Sequence, residues 1–136
     1  MADDSVRLIV VDAANVVGSR PDGWWRDRAG AARRLLGKVA MLPERMTNPT
    51  EVIVVLEGAA KAAVDRATDR DLAGLRVVRA DGSGDDAIVG AVAAARANDG
   101  SRPITVVTAD RELRERVAAL GAEVVGPTWL LDYIES

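Results

Sequence analysis

The 136 residues suit one domain with a single core, and 49% of them are apolar, although Phe is absent and Tyr occurs once. Cys and His are also absent, which excludes disulfides, thiolate or imidazole metal ligation, Cys nucleophiles and His-dependent triads. Chemistry in this chain must run on carboxylates, hydroxyls, Asn, Lys, Arg and water. The formal charge of −3 hides a gradient, because Arg20 to Arg45 holds seven Lys/Arg against three acids. Sixteen of the eighteen cations are Arg, which favours bidentate contact with phosphate.

The first apolar run predicts a strand over 6–12. A Gly/Pro loop follows at 18–23, and a helix is expected from about Trp24 to Leu42, before Pro43 and the cluster Thr47-Asn-Pro-Thr50 break the pattern. A second strand is read over 51–57 and a helix near 59–72, with Ala63, Ala67 and Leu72 on its apolar side. Leu75-Arg-Val-Val78 is a short strand. Ile88, Val92 and Ala95 place a helix over 85–98 by their spacing. A strand over 103–108 leads to a helix over 111–120, striped by Leu113, Val117 and Leu120. Glu123-Val-Val125 is a last strand, and Pro127 opens a final helix through Tyr133, with Trp129 read as core.

Continuous apolar strands alternating with amphipathic helices predict a parallel sheet covered on both faces. Right-handed crossovers then give a doubly wound three-layer α/β sandwich with five mainly parallel strands and flavodoxin-like winding, as one domain over 1–136. The start Met-Ala-Asp-Asp-Ser does not look like a signal peptide, and no apolar stretch approaches bilayer-spanning length. A cytoplasmic protein without membrane association is expected.

Three strands end on an acid: Asp12 after Leu8–Val11, Glu57 after Val52–Leu56 and Asp110 after Ile104–Thr108. Gly84-Asp85-Asp86 opens a helix with two more. In open α/β sheets ligands bind beyond the carboxyl ends of the strands, so these acids are aimed at one crevice. Each has another use. Asp110 suits the N-cap of the helix starting at Arg111, and Asp86 with Ser83 suits a variant capping box. Asp12 suits a cap on a turn at Ala13-Ala14, and Glu57 suits a solvated loop. Caps, however, do not require a shared sheet edge, and clustered carboxylates repel unless a cation intervenes.

The motif Val10-Val-Asp12-Ala-Ala-Asn15 resembles the opening Asp-x-x-Asn element of NYN domains, a branch of the PIN-like nuclease superfamily. Leu56-Glu57-Gly58 resembles that fold's strand-end acid and Gly, with Glu where Asp is commoner. Gly84-Asp85-Asp86-Ala-Ile88 is similar to its acidic helix start, and Val107-Thr-Ala-Asp110-Arg-Glu112 to its strand-end Asp-x-acid motif. The resemblance spans essentially the whole chain. It implies a Mg²⁺- or Mn²⁺-dependent nuclease acting on RNA, single-stranded or structured, with Asp12, Asp86 and Asp110 as leading metal ligands. Asp85, Glu112 and Glu57 follow, and Asn15 would orient the site or touch substrate. Oxygen donors suit these cations.

Trp24-Trp25 and the Arg-rich helix behind them suggest a stacking platform beside a phosphate-binding row of Arg26, Arg33 and Arg34. The same residues also suit helix anchoring and an ordinary solvated face. Ala14 stands where a haloacid-dehalogenase-type phosphatase needs a second Asp. No Lys lies between Thr105 and Ser136, which removes a receiver domain, and the first turn lacks the glycines of a dinucleotide site. The competing reading is a catalytically silent PIN-like module binding RNA or protein. A homodimer is left open.

Overall fold

The computed structural model describes residues 6–19, 23–46, 48–63 and 75–135. Strands β1 (Arg7–Asp12), β2 (Thr50–Leu56), β3 (Leu75–Arg79), β4 (Ile104–Val107) and β5 (Glu123–Val125) form one sheet in the order β3-β2-β1-β4-β5, with every pairing parallel. The winding is double, as expected, but the order is not flavodoxin's 2-1-3-4-5. It reverses between β1 and β4.

Helices α1 (Ala13–Gly18), α2 (Arg28–Val39), α3 (Leu42–Arg45) and α6 (Pro127–Glu135) cover one face, and α4 (Gly84–Asn98) and α5 (Arg111–Ala118) cover the other. Side-chain alternation along the strands sorts the core between these layers. Ile9 and Val11 of β1 join Val52, Val54 and Leu56 of β2 under α2 and α6, whereas Leu8, Val10, Ile53 and Val55 pack with Ile88, Val92, Leu113 and Val117. Burying a side chain of this size stabilises the fold by about 1.5–3 kcal/mol, so the two Val/Ile/Leu layers supply the stability that absent Phe cannot.

Several predicted elements are shifted. The helix expected over 24–42 divides into a 3-10 turn at Trp24–Arg26, then α2, then α3. Asp27 sets the break, because its carboxylate accepts from Gly30 N at 2.8 Å and caps α2 at Arg28. Pro43 does not end the helical region but lies in the first turn of α3. Asp12 caps α1, which extends the turn expected at Ala13-Ala14 as far as Gly18. The helix expected near 59–72 is a 3-10 helix over Gly58–Ala63, and its remainder, including Ala67 and Leu72, lies outside the described residues. Trp129 is half-buried rather than core. Its ring packs at a tilt of 57° against Tyr133, with centroids 4.9 Å apart, and lies under the Arg7 guanidinium at 5.5 Å, while Leu130, Leu131 and Ile134 take the interior positions. Among the described residues, no helix is long and apolar enough to cross a membrane.

Candidate active site

Strand parity aims the acids. Asp12 continues the Leu8–Val10 side of β1, Glu57 continues the Ile53–Val55 side of β2, and Thr108 continues the Ile104–Val106 side of β4. All three therefore share the parity of the face on which α4 and α5 begin. The register sets Val11 opposite Val107, so Asp12 and Thr108 come level at the switch point between β1 and β4.

Asp12 is 7% exposed, and both its oxygens are engaged by neutral donors. Oδ1 accepts from Asn15 N at 3.3 Å, and Oδ2 accepts from the buried Thr108 hydroxyl at 3.0 Å. The Thr108 oxygen in turn accepts from Asp110 N at 3.1 Å, and Asn15 Oδ1 accepts from Ala109 N at 2.8 Å. Asn15 and Thr108 thus tie the β1–α1 junction to the β4–α5 junction. Asp110 Oδ1 caps α5 through Leu113 N at 2.9 Å. Glu57 Oε2 accepts from Gly84 N, the first residue of α4, at 3.0 Å. A Cβ on Gly84 would stand 2.8 Å from Glu57 Oε1, so glycine at this position permits the close approach.

Burial pushes the Asp12 carboxyl above its ordinary pKa, the Thr108 and Asn15 hydrogen bonds pull it back, and Asp85 and Glu57 push it up again. Asp85 is raised as well, first by desolvation, then by Asp110 and Glu57, against a lowering pull from Arg116 and with a further push from Glu112. Asp12, Glu57, Asp85, Asp110 and Glu112 therefore form one electrostatically strained group. Asp86 is turned elsewhere. Its Oδ1 pairs with Arg116 at 3.1 Å, its side chain is 75% exposed, and its amide is capped by Ser83 Oγ at 3.1 Å. Asp85, rather than Asp86, is thus the residue of this pair that faces Glu57 and Asp110. Capping also proves real for Asp12 and Asp110, but a carboxylate has about four lone-pair directions and can cap while serving a second partner.

The fold has a known counterpart. The chain superposes on Rae1 (YacP) from Bacillus subtilis with a TM-score of 0.74 and 21% identity, over 96% of this chain and 74% of that one. A tryptophan-to-leucine variant of the same protein gives 0.73 and 21%, over 96% and 76%. The likeness is one of fold, a five-stranded parallel sheet covered by helices on both faces. No protein-family model and no curated protein matches the sequence.

Among the described residues, no three carboxylates enclose a point where a metal could sit as the side chains stand. The donor set nevertheless fits a hard cation. Its donors are all oxygens, Asp12 and Asp85 are raised by desolvation and by neighbouring acids, and Mg²⁺ is ordinarily held by one or two carboxylates plus waters and substrate phosphate rather than by a protein cage.

Of the expected nucleic-acid contacts, Trp25 is 53% exposed with the Arg26 guanidinium 5.8 Å from its ring centre, and Arg33 and Arg34 are exposed on α2. The Trp24 side chain lies outside the described residues. Thr108 was not among the residues singled out from the sequence. Its polarity at the end of an apolar strand, in step with Asp12, was the available signal.

Proposed function

We propose that the chain is an NYN-type, PIN-like ribonuclease that hydrolyses phosphodiester bonds with Mg²⁺ or Mn²⁺ at the acid cluster. The observation that carries this reading is the convergence of Asp12, Glu57, Asp85 and Asp110 into one mutually repelling group at the sheet's switch point. Helix capping accounts for Asp12 and Asp110, and the α4 N-terminus favours an acid at Asp85, but neither requires these acids to face one another.

In this reading Asp12, Asp85 and Asp110 hold the cation, with Glu57 and Glu112 beside them. When bound, the cation supplies polarisation of a phosphoryl oxygen and acidifies a water. Thr108 and Asn15 fix the Asp12 carboxylate and exclude water from behind it. Asp86, held by Arg116, shapes the start of α4. Trp25, Arg26, Arg33 and Arg34 provide stacking and phosphate contacts for RNA approaching across α2.

The test is cleavage of single-stranded and structured RNA with Mn²⁺. Wild type should cleave, and Asp12→Asn and Asp110→Asn should each lose more than about a hundredfold in rate while keeping the fold. RNA binding without cleavage by the wild type would instead leave the silent module.

A further inference from the structure

A cavity of about 240 Å³ shares Glu57 with the acid cluster. Its walls include Ala14 and Val17 of α1, Arg28 and Ala32 of α2, Ala60 of the 3-10 helix, and Glu57 itself. Two larger hollows are less suited to this edge of the sheet. One of 860 Å³ lies at the opposite ends of β1 and β4, around Arg7, Pro103 and Thr105. The other, of 510 Å³, runs along α4 over β2 and β3 and has none of the cluster's acids in its lining.

The smaller cavity has the dimensions and chemistry of a base site. Pockets for drug-sized ligands start at about 300 Å³, so this one admits a single planar ring system and not a base pair. Its walls are largely alanine methyls with Val17, which suit the faces of a ring. Arg28 adds a planar cation whose donors match base-edge acceptors or a neighbouring phosphate. The Trp24–Arg26 turn, which carries exposed Trp25 and Arg26, packs on α1 and α2, the helices that form two of the walls. Glu57 is common to the cavity and the acid cluster, so an occupant here would be continuous with a phosphate at the acids.

We propose that this cavity takes one unpaired base of a single-stranded RNA substrate, adjacent to the phosphate presented to the acid cluster. The proposal rests on the nuclease reading and adds the base subsite to it. A duplex would have to open before reaching the acids, because a paired base cannot enter.

The experiment crosses removal of a base with filling of the cavity. Short single-stranded RNAs in which one abasic position is moved along the chain are bound to wild type, Ala14→Leu and Ala60→Leu, with Ca²⁺ in place of Mn²⁺, and affinities are read by fluorescence anisotropy. Ala14 is exposed, so its replacement is expected to preserve the melting temperature, and Ala60→Leu fills the cavity from another wall. Wild type should lose on the order of tenfold in affinity at one abasic position. Each filled variant should bind intact RNA about as weakly as wild type binds that abasic RNA, and should lose nothing more at that position. If both folded variants respond to every abasic position as wild type does, the base lies elsewhere and the proposal is overturned, while Mn²⁺-dependent cleavage would leave the nuclease reading standing. If wild type neither binds nor cleaves any of these RNAs, both fall.

Discussion

Thr108 donates its hydroxyl to Asp12 across the switch point, at 3.0 Å, and accepts the amide of Asp110 with the same oxygen. Thr108→Val keeps the shape and removes both bonds, leaving a buried carboxylate oxygen and a backbone N–H without this partner. The loss should cost about 1–3 kcal/mol in chemical denaturation. Activity should fall about 10–100-fold, the usual effect of removing a group that orients a metal ligand. Thr108→Ser should restore most of both. A Val variant as stable and active as wild type would show that this oxygen orients nothing.

Asp85 and Asp86 occupy the same first turn of α4 and should respond in opposite directions. Both gain from the helix N-terminus, by about 0.3–1 kcal/mol at most for an exposed acid. Asp86 pairs directly with Arg116, whereas Asp85 is desolvated and faces Asp110 and Glu57, which Arg116 offsets only in part. In chelator near neutral pH, Asp85→Asn should raise the melting temperature by about 1–3 °C, and Asp86→Asn should leave it unchanged or lower it by a similar amount. Thermal melts of the two variants decide this. A lower melting temperature for Asp85→Asn would mean that dipole stabilisation outweighs the repulsion.

The pH dependence follows from the same shift. Asp85 has its folded-state pKa raised, so the folded state holds the proton more tightly than the unfolded chain. Its contribution therefore favours folding at low pH, declines as pH rises from about 4 through the raised folded value, and is constant above that. The stability of Asp85→Asn relative to wild type should accordingly increase across that window in chelator and then level off. Urea denaturation at a series of pH values would show it, and Mn²⁺ should suppress the difference by stabilising wild type more than the variant. A pH-independent difference would contradict the upward shift of the Asp85 carboxyl by desolvation and its acidic neighbours.

How far these relationships were legible in the sequence depended on how local their causes are. Strands β1, β2 and β4 follow from uninterrupted Val/Ile/Leu runs, and strand parity made the shared aim of Asp12 and Glu57 readable in principle. Helix α1 was too short for periodicity, and only Asp12 as a cap hinted at it. The start of α2 turned on one side-chain bond, Asp27 to Gly30. The choice between Asp85 and Asp86 was not local at all. It depends on Arg116, thirty positions along and on another helix, and no spacing rule reaches it. Arg28 as a cavity wall depends likewise on the packing of α1, α2 and the 3-10 helix after β2.

Arg33 and Arg34 are exposed on α2, and in the proposed function they contact substrate phosphates. Changing both to Ala should weaken RNA binding and flatten the dependence of log affinity on log salt by about 0.7 per lost contact for a single strand. An unchanged slope would show that α2 faces away from the substrate path.

The claim on which the account turns is that the acids at the switch point form a cation site. Crystals soaked in Mn²⁺ and measured at the manganese absorption edge test it most directly. Anomalous density among Asp12, Asp85 and Asp110 is the predicted result. Density elsewhere only, or no density at saturating Mn²⁺, would contradict it and leave Asp12 and Asp110 as helix caps.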